Sequence, residues 1–379
     1  MGDGPGDTAG DRSVDAVVTL PSRSDRHPEG NAAPRLTICV PTFGRPALVQ
    51  RAIRSIIDSV GDAHGEVEII VSDNSPELSE GPCRQALVSW PGRSLYLANR
   101  PNIGAVANFN QCIARASGTY VLFVHDDDCL LPNAVSEIFH ALAKRATPEA
   151  VLFFGVRIVD EAQRVVRRQH FCRDVTIGAR RALLGLLSDT GIAWFPGLVV
   201  SLDAYVAVGP FDPEAGTATD LEMWVRLFSA FGLRCVPSAI SANSVHAASA
   251  TQTTAFDHDS ITTILDIFAR AERTRVLSTE IIQHCRAQFL PQVILGTAAY
   301  ALRAGHNREA RDVMALFDLE DVKSIGLSRA WLAARFIFSI LVRAPSALVR
   351  PIMTWIYRID LVYRVRALRR RGEGTLPFC

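Results

Sequence analysis

Short apolar runs that stop on polar residues recur roughly every 25–30 residues through the first half of the chain, with helix-period patterns in most of the gaps. RLTICVPTF (35–43) is the first such run, EVEIIVSDNS (66–75) the second and SLYLANR (94–100) the third. TYVLFVHDDD (119–128) and AVLFFGVRIVD (150–160) follow, and RVVRRQHF (164–171) is placed to pair back on the last. Between the first two, Val49, Ile53, Ile56, Ile57 and Val60 fall on one helical face behind Pro46, with Arg51, Arg54 and Asp58 opposite. Asn102 to Ser117 and Asn133 to Arg145 read as further helices. Alternation of this kind builds βαβ units and predicts an α/β fold around a mostly parallel sheet flanked by helices. Open sheets bind ligands outside the carboxyl ends of their strands. That is where Thr42, Asp73-Asn74, Asn102 and Asp126–Asp128 cluster.

The pattern has clear borders. Residues 1–34 are rich in Gly, Asp, Pro, Ser and Arg without periodicity, and read as a disordered N-terminal arm. Residues 35–255 form the sheet-bearing domain; its later part predicts a helix over Thr219–Phe231, another near Arg180–Leu187, a loop and strand over 194–201, and a strand then a loop over 234–251. Residues 256–379 turn helical and end in a basic tail. With 48% hydrophobic residues the chain has material for a sizeable core, which excludes disordered, collagenous and disulfide-scaffold classes. A total charge of +1 argues against a protein that coats nucleic acid by bulk electrostatics. The charge is unevenly placed: 331–371 hold nine arginines and one acid, a net +8 that leaves −7 for the rest.

None of the eight cysteines forms a C-x-x-C pair, and most sit in apolar runs, which reads as a reduced, cytoplasmic protein with buried thiols. The N-terminus has neither the basic nor the apolar region of a signal peptide, and no run of 18 uncharged apolar residues predicts a membrane span.

The strongest chemical signal is VLFVHDDDCLLPN (121–133). Three adjacent carboxylates repel one another and need protons or a cation; a hard divalent ion that shares its shell with substrate phosphates suits them. A solvated acidic loop is the plain alternative. The D-x-D of haloacid-dehalogenase-type phosphatases is a near miss, because those enzymes need a lysine downstream and only Lys144 and Lys323 exist here. Asp73, at the end of the second strand, is placed to accept hydrogen bonds from a base or ribose, although Asp-Asn is also a common turn. Asp220 and Glu222 open an amphipathic helix, where first-turn acids also complement the helix dipole. His246, in a loop of small residues, is a metal ligand or a surface histidine.

TICVPTFGRPALVQRAIRSI, EIIVSDNS, NRPNIGAVANFNQCIARASGTYVLFVHDDDCLLPN, VGPFDPEAGTATDLEMWVRL and SVHAASAT come in the order and spacing of one family. Over residues 35–250 the chain resembles the family 2 glycosyltransferases with the GT-A fold, of the bacterial cell-surface polysaccharide type. The resemblance implies that Pro41, Thr42, Asp73 and Asn102 line the nucleoside pocket, and that Asp126 faces the ribose or metal. It implies that Asp127, Asp128 and His246 hold Mg²⁺ or Mn²⁺, and that Asp220 is the catalytic base. His125 stands where many members carry an acid, and Thr219 where they carry Glu.

The implied reaction moves a sugar from a nucleoside-diphosphate donor to a hydroxyl of a glycan or lipid-linked acceptor, with inversion. Trp194-Phe195-Pro196 would either shape the acceptor side or pack in the core. Arginines and aromatics at helical spacing in 328–371 suit an anionic membrane surface, which would place the enzyme on the inner face of the plasma membrane. A solvated arginine face is the alternative. A sugar nucleotidyltransferase would want a Gly-rich loop with a basic residue after the first strand, and PTFGRP offers only Gly44 and Arg45. A non-catalytic sugar-nucleotide-binding scaffold would not need the intact acid cluster.

Overall fold

The first apolar run forms β1 (Leu36–Thr42), buried along its whole length. In a strand, alternate side chains face opposite ways. Leu36, Ile38 and Val40 therefore enter the core on one side of the sheet, and Cys39 the core on the other. The structure, a computed structural model, describes residues 33–189, 192–245, 256–353 and 376. All but two residues of the expected N-terminal arm, 1–32, lie outside that range, as do His246 and the tail beyond 353 apart from Leu376.

From β1 the chain runs through α1 (Pro46–Val60), β2 (Val67–Asp73), α2 (Pro76–Leu87) and β3 (Arg93–Ala98), each strand parallel to the last. α3 (Ala105–Arg115) then carries the chain back, and β4 (Tyr120–Phe123) lands on the other side of β1, again parallel. The order of strands reverses between β1 and β4. There follow β5 (Cys129–Leu130), α4 (Ala134–Ala143), β6 (Val151–Val159), β7 (Val165–Gln169), β8 (Val175–Ile177) and α5 (Ala179–Ser188). β9 (Leu198–Ser201), α6 (Leu202–Val208), α7 (Thr219–Phe231) and β10 (Leu233–Ser244) complete the sheet-bearing part. At Gly232, between α7 and β10, φ is +64°, and a Cβ there would collide with the Ile177 carbonyl.

The ten strands make one sheet in the order β3-β2-β1-β4-β9-β6-β10-β5, with β7 on β6 and β8 on β10. The mostly parallel expectation holds from β3 to β4. The other half is mixed: β9 lies antiparallel between β4 and β6, and β5, β7 and β8 also pair antiparallel. β9 comes after α5 and the short Phe195–Gly197 turn and runs antiparallel to both of its neighbours.

α1, α2 and α4 cover one face of the sheet. α3, α5 and α7 cover the other, and α8 (His258–Arg273), α9 (Thr279–Ala304), α10 (Asn307–Ala315) and α11 (Arg329–Leu341) extend that same core. Arg270 of α8 pairs with Glu222 of α7 and with Asp212 just before it. No helix among the described residues is long and apolar enough to cross a membrane. Six of the cysteines are free thiols, five of them buried. Cys172 corrects the all-thiol reading, because it is disulfide-bonded. Motif spacing misses such a bond because it joins positions that only the fold brings together.

Candidate active site

The strand order reverses between β1 and β4, and the acid triplet follows β4 at that switch point. Pairing with β1 continues past β4 through the Val124 amide, which donates to the Cys39 carbonyl at 2.9 Å. The chain then turns: the Asp128 amide donates to the His125 carbonyl at 3.0 Å, and β5 locks the far side against β10. All three aspartates are thus held on a short, doubly anchored turn.

Asp126 faces β1. It accepts hydrogen bonds from the Thr42 hydroxyl at 2.8 Å and the Phe43 amide at 3.4 Å, so the end of β1 and the turn after β4 are tied through this side chain. Arg45 bridges Asp126 at 3.2 Å and Asp127 at 2.9 Å, and Arg51 donates to the Asp127 carbonyl at 2.7 Å. Asp128 is buried and accepts from the Ser244 amide at 3.0 Å. Burial and the Asp127 charge push Asp126 upward and Asp128 well above the ordinary aspartate range. The site therefore calls for positive charge beyond what the arginines supply.

His125, which the sequence marked only as a departure, belongs to this group. Its ring stacks on Phe109 (centroids 5.6 Å apart, planes at 6°) and leans on Phe195 at 4.7 Å. Burial lowers its pKa and keeps the imidazole neutral, the form that binds metals. Its Nε2 is buried with no hydrogen-bond partner among the described residues. One ligand atom each from His125, Asp127 and Asp128 lie within 4.8 Å of one another, so this donor set fits a divalent cation.

The residues expected to line a nucleoside pocket fall at or just after the ends of β1, β2 and β3. Asp73 is fully buried; its Oδ1 accepts from the Ser75 amide at 2.8 Å and its Oδ2 from the Tyr96 hydroxyl at 2.6 Å. Asn102 is exposed and closes a turn onto the Gly104 amide at 2.8 Å. The buried amides nearby are Asn74, Asn99 and Asn108: Asn99 donates to Asn74 at 3.0 Å, and Asn108 to the Ser72 carbonyl at 3.1 Å. Asn74 in VSDNS and Asn99 and Asn108 at the two ends of NRPNIGAVAN were the available signal. Pro41 is buried one residue before Thr42.

Asp220 stands in the first turn of α7, where its Oδ1 accepts from the Leu221 amide at 2.7 Å, and burial raises its pKa. One turn on, Trp224 packs on Phe195 at 5.1 Å, and Phe195 touches His125, so a chain of rings joins this helix to the acid turn. Phe195 and Pro196 are buried, which gives them the packing role, while Trp194 is half-buried. Asn110 of α3 clamps the Phe211 backbone at 2.7 and 2.9 Å, fixing the approach to α7. Glu222 is buried under Arg226 and Arg270.

Carboxylates that follow a strand at a topological switch point of a sheet flanked by helices are the arrangement of the GT-A fold. The sequence profile of glycosyl transferase family 2 matches residues 37–193. The uncharacterized protein MT1568 of Mycobacterium tuberculosis is 30% identical over 238 residues, 58% of this chain and 70% of its own length. The GalNAc(5)-diNAcBac-PP-undecaprenol beta-1,3-glucosyltransferase of Campylobacter jejuni is 36% identical over 106 residues, 28% of this chain and 33% of that enzyme. Among solved structures, residues 1–349 of S. aureus TarS in complex with UDP-GlcNAc superpose with a TM-score of 0.58 at 13% identity, covering 86% of this chain and 92% of that one. The chain belongs to glycosyltransferase family 2 and is a glycosyltransferase. That membership displaces the sugar nucleotidyltransferase alternative.

Proposed function

We propose that the protein moves a sugar from a nucleoside-diphosphate donor to a hydroxyl of a glycan or lipid-linked acceptor in the assembly of a bacterial surface polysaccharide, with inversion at the anomeric carbon. The observation that carries this reading is the acid turn Asp126–Asp128 bound to β1 across the switch point by the Thr42–Asp126 hydrogen bond. The names of related proteins support the substrate classes: UDP-GlcNAc is bound in TarS, and the Campylobacter enzyme is named for an undecaprenol-linked glycan.

Pro41, Thr42 and Asp126 form the nucleotide side of the site. Asp73 acts there by setting Tyr96 and Ser75, and Asn102 by shaping the turn into α3. Mg²⁺ or Mn²⁺ would be held by Asp127 and Asp128 together with His125; His246 is the expected further ligand and lies outside the described residues. A divalent ion bound there supplies the positive charge that a departing diphosphate needs.

Asp220 takes the proton of the acceptor hydroxyl as it attacks. Its raised pKa makes the carboxylate a better base than a solvated aspartate. The aromatic wall of Phe109, Phe195 and Trp224 keeps water from the space between that base and the acid turn. Residues 35–255 hold the donor. We place the enzyme in the cytoplasm, on the inner face of the plasma membrane.

The reading is tested with a panel of UDP-, GDP- and dTDP-sugars and Mg²⁺, Mn²⁺ or chelator, following donor binding by thermal shift and turnover by nucleoside-diphosphate release. At least one donor should bind and turn over only with an ion. Failure of every donor to bind with either ion overturns the assignment.

A further inference from the structure

A helix that is apolar all round is normally buried. α11 breaks that rule. Trp331, Ala334, Phe338 and Leu341 pack against the core, and the Trp331 indole donates to Gln288 of α9 at 2.9 Å. Leu332, Phe336, Ile337 and Ile340 point the other way, and Leu348 and Ile352 follow in the helical stretch 346–353; all six are between 47 and 66% exposed. The helix is fixed in that orientation by more than apolar contact. Arg335 pairs with Asp318 at 2.7 Å and lies over the Phe317 ring, Arg311 donates to the Val342 carbonyl at 3.3 Å, and Asn307 to the Ala344 carbonyl at 2.8 Å. The outer apolar face is therefore held outward by the packing of the inner one.

The segment itself carries charge of one sign, with Arg335 neutralised by Asp318 and Arg329 and Arg343 left to face outside charge. From 329 to 353 the chain carries Arg329, Arg335, Arg343 and Arg350 and no acid. A second copy of the same face would bring like charges together, which disfavours self-association. Nucleic acid would match the arginines but leave the apolar side chains without a partner. An anionic bilayer matches both: acyl chains take the apolar side chains, and headgroup phosphates take the guanidiniums. At 1.5 Å per residue α11 is about 20 Å long, short of the roughly 30 Å hydrocarbon core, so it lies along the surface.

We propose that the outer face of α11 and of 346–353 docks the enzyme on an anionic phospholipid bilayer. This extends the transfer reading above, since a lipid-linked acceptor sits at such a surface, but none of its residues belongs to the catalytic site.

The test is flotation of the full chain with vesicles of phosphatidylcholine alone or of phosphatidylcholine with phosphatidylglycerol. The wild type should float with the anionic vesicles, and less as salt rises. Phe336→Ser with Ile340→Ser should lower partitioning by about tenfold or more, and Arg329→Ser with Arg343→Ser by a similar factor. Because these side chains are exposed, both variants should melt like the wild type and bind donor as before. Wild-type protein left unfloated with anionic vesicles overturns the proposal. So does flotation of either double variant at the wild-type level. A dimer that Phe336→Ser with Ile340→Ser splits, without vesicle binding in the wild type, would assign the face to a second copy instead. Flotation needs no donor, so loss of docking leaves the transfer reading standing, and loss of donor binding leaves docking standing.

Discussion

Two carboxylates, two residues apart in the first turn of α7, should answer substitution in opposite ways. Glu222 is 2% exposed; its Oε1 accepts from Arg226 Nε at 2.8 Å and Arg270 Nη1 at 3.2 Å, and its Oε2 from Arg226 Nη2 at 2.6 Å. Glu222→Ala removes the carboxylate that two guanidiniums share, leaving Arg270 on Asp212 and Arg226 on the Val208, Gly209 and Pro210 carbonyls. Breaking a buried pair in this way costs about 3–5 kcal/mol. The arginine side chains are 24 and 35% exposed, so water recovers part of the loss and the lower end, about 3 kcal/mol, is expected. Asp220 is the reverse case. Burial raises its folded-state pKa, so the native state penalises the charged form. Its favourable contribution is present below the unfolded value of about 3.9 and lost as pH rises through the folded value. At neutral pH, Asp220→Asn therefore removes a penalty and keeps an oxygen for the Leu221 amide. Stability should hold or rise while turnover collapses and donor binding persists. Urea unfolding at constant m, beside a transfer assay, reads both. A loss under about 1 kcal/mol for Glu222→Ala, or near-normal turnover in Asp220→Asn, would refute the division of roles.

The pH profile of kcat/KM should have its acid limb above the ordinary aspartate value of about 3.9, because Asp220 must be deprotonated to act as base; a limb at or below that value removes Asp220 from the role. His125→Phe keeps an aromatic ring against Phe109 and Phe195 but deletes the nitrogen, so Mn²⁺ affinity by calorimetry should fall by about tenfold or more with the fold intact; unchanged affinity would exclude His125 from the ligand set. Thr42→Val removes the hydroxyl that bridges β1 to Asp126 and should cost about 1.5–3 kcal/mol in urea unfolding. A loss of a few tenths of a kcal/mol or less would leave that bridge without structural weight.

Much of the active half was legible one segment at a time. The apolar runs became β1, β2, β3, β4 and β6, and the span Thr219–Phe231 became α7 with the same ends, because strand and helix periods are local signals. The acid triplet could be found for the same reason: its three members are neighbours in sequence, and strand ends carry ligand sites in this architecture. β9 shows the limit. LVVS reads as a strand but gives no sign that it lies antiparallel in the middle of the sheet, because its partners on β4 and β6 are distant in sequence.

What the amino-acid order determined alone was therefore the succession of elements, the edge where ligands gather and the cluster of negative charge. Tertiary packing decided the rest. It buried Asp73 under Tyr96 and Ser75, left Asn102 outside while drawing Asn74, Asn99 and Asn108 together, and set Glu222 between two arginines. It also pressed Phe109 and Phe195 against His125, and left one face of α11 open. Burial and partner identity depend on which distant segments meet, and a carboxylate, an imidazole or an apolar face takes its role from those neighbours.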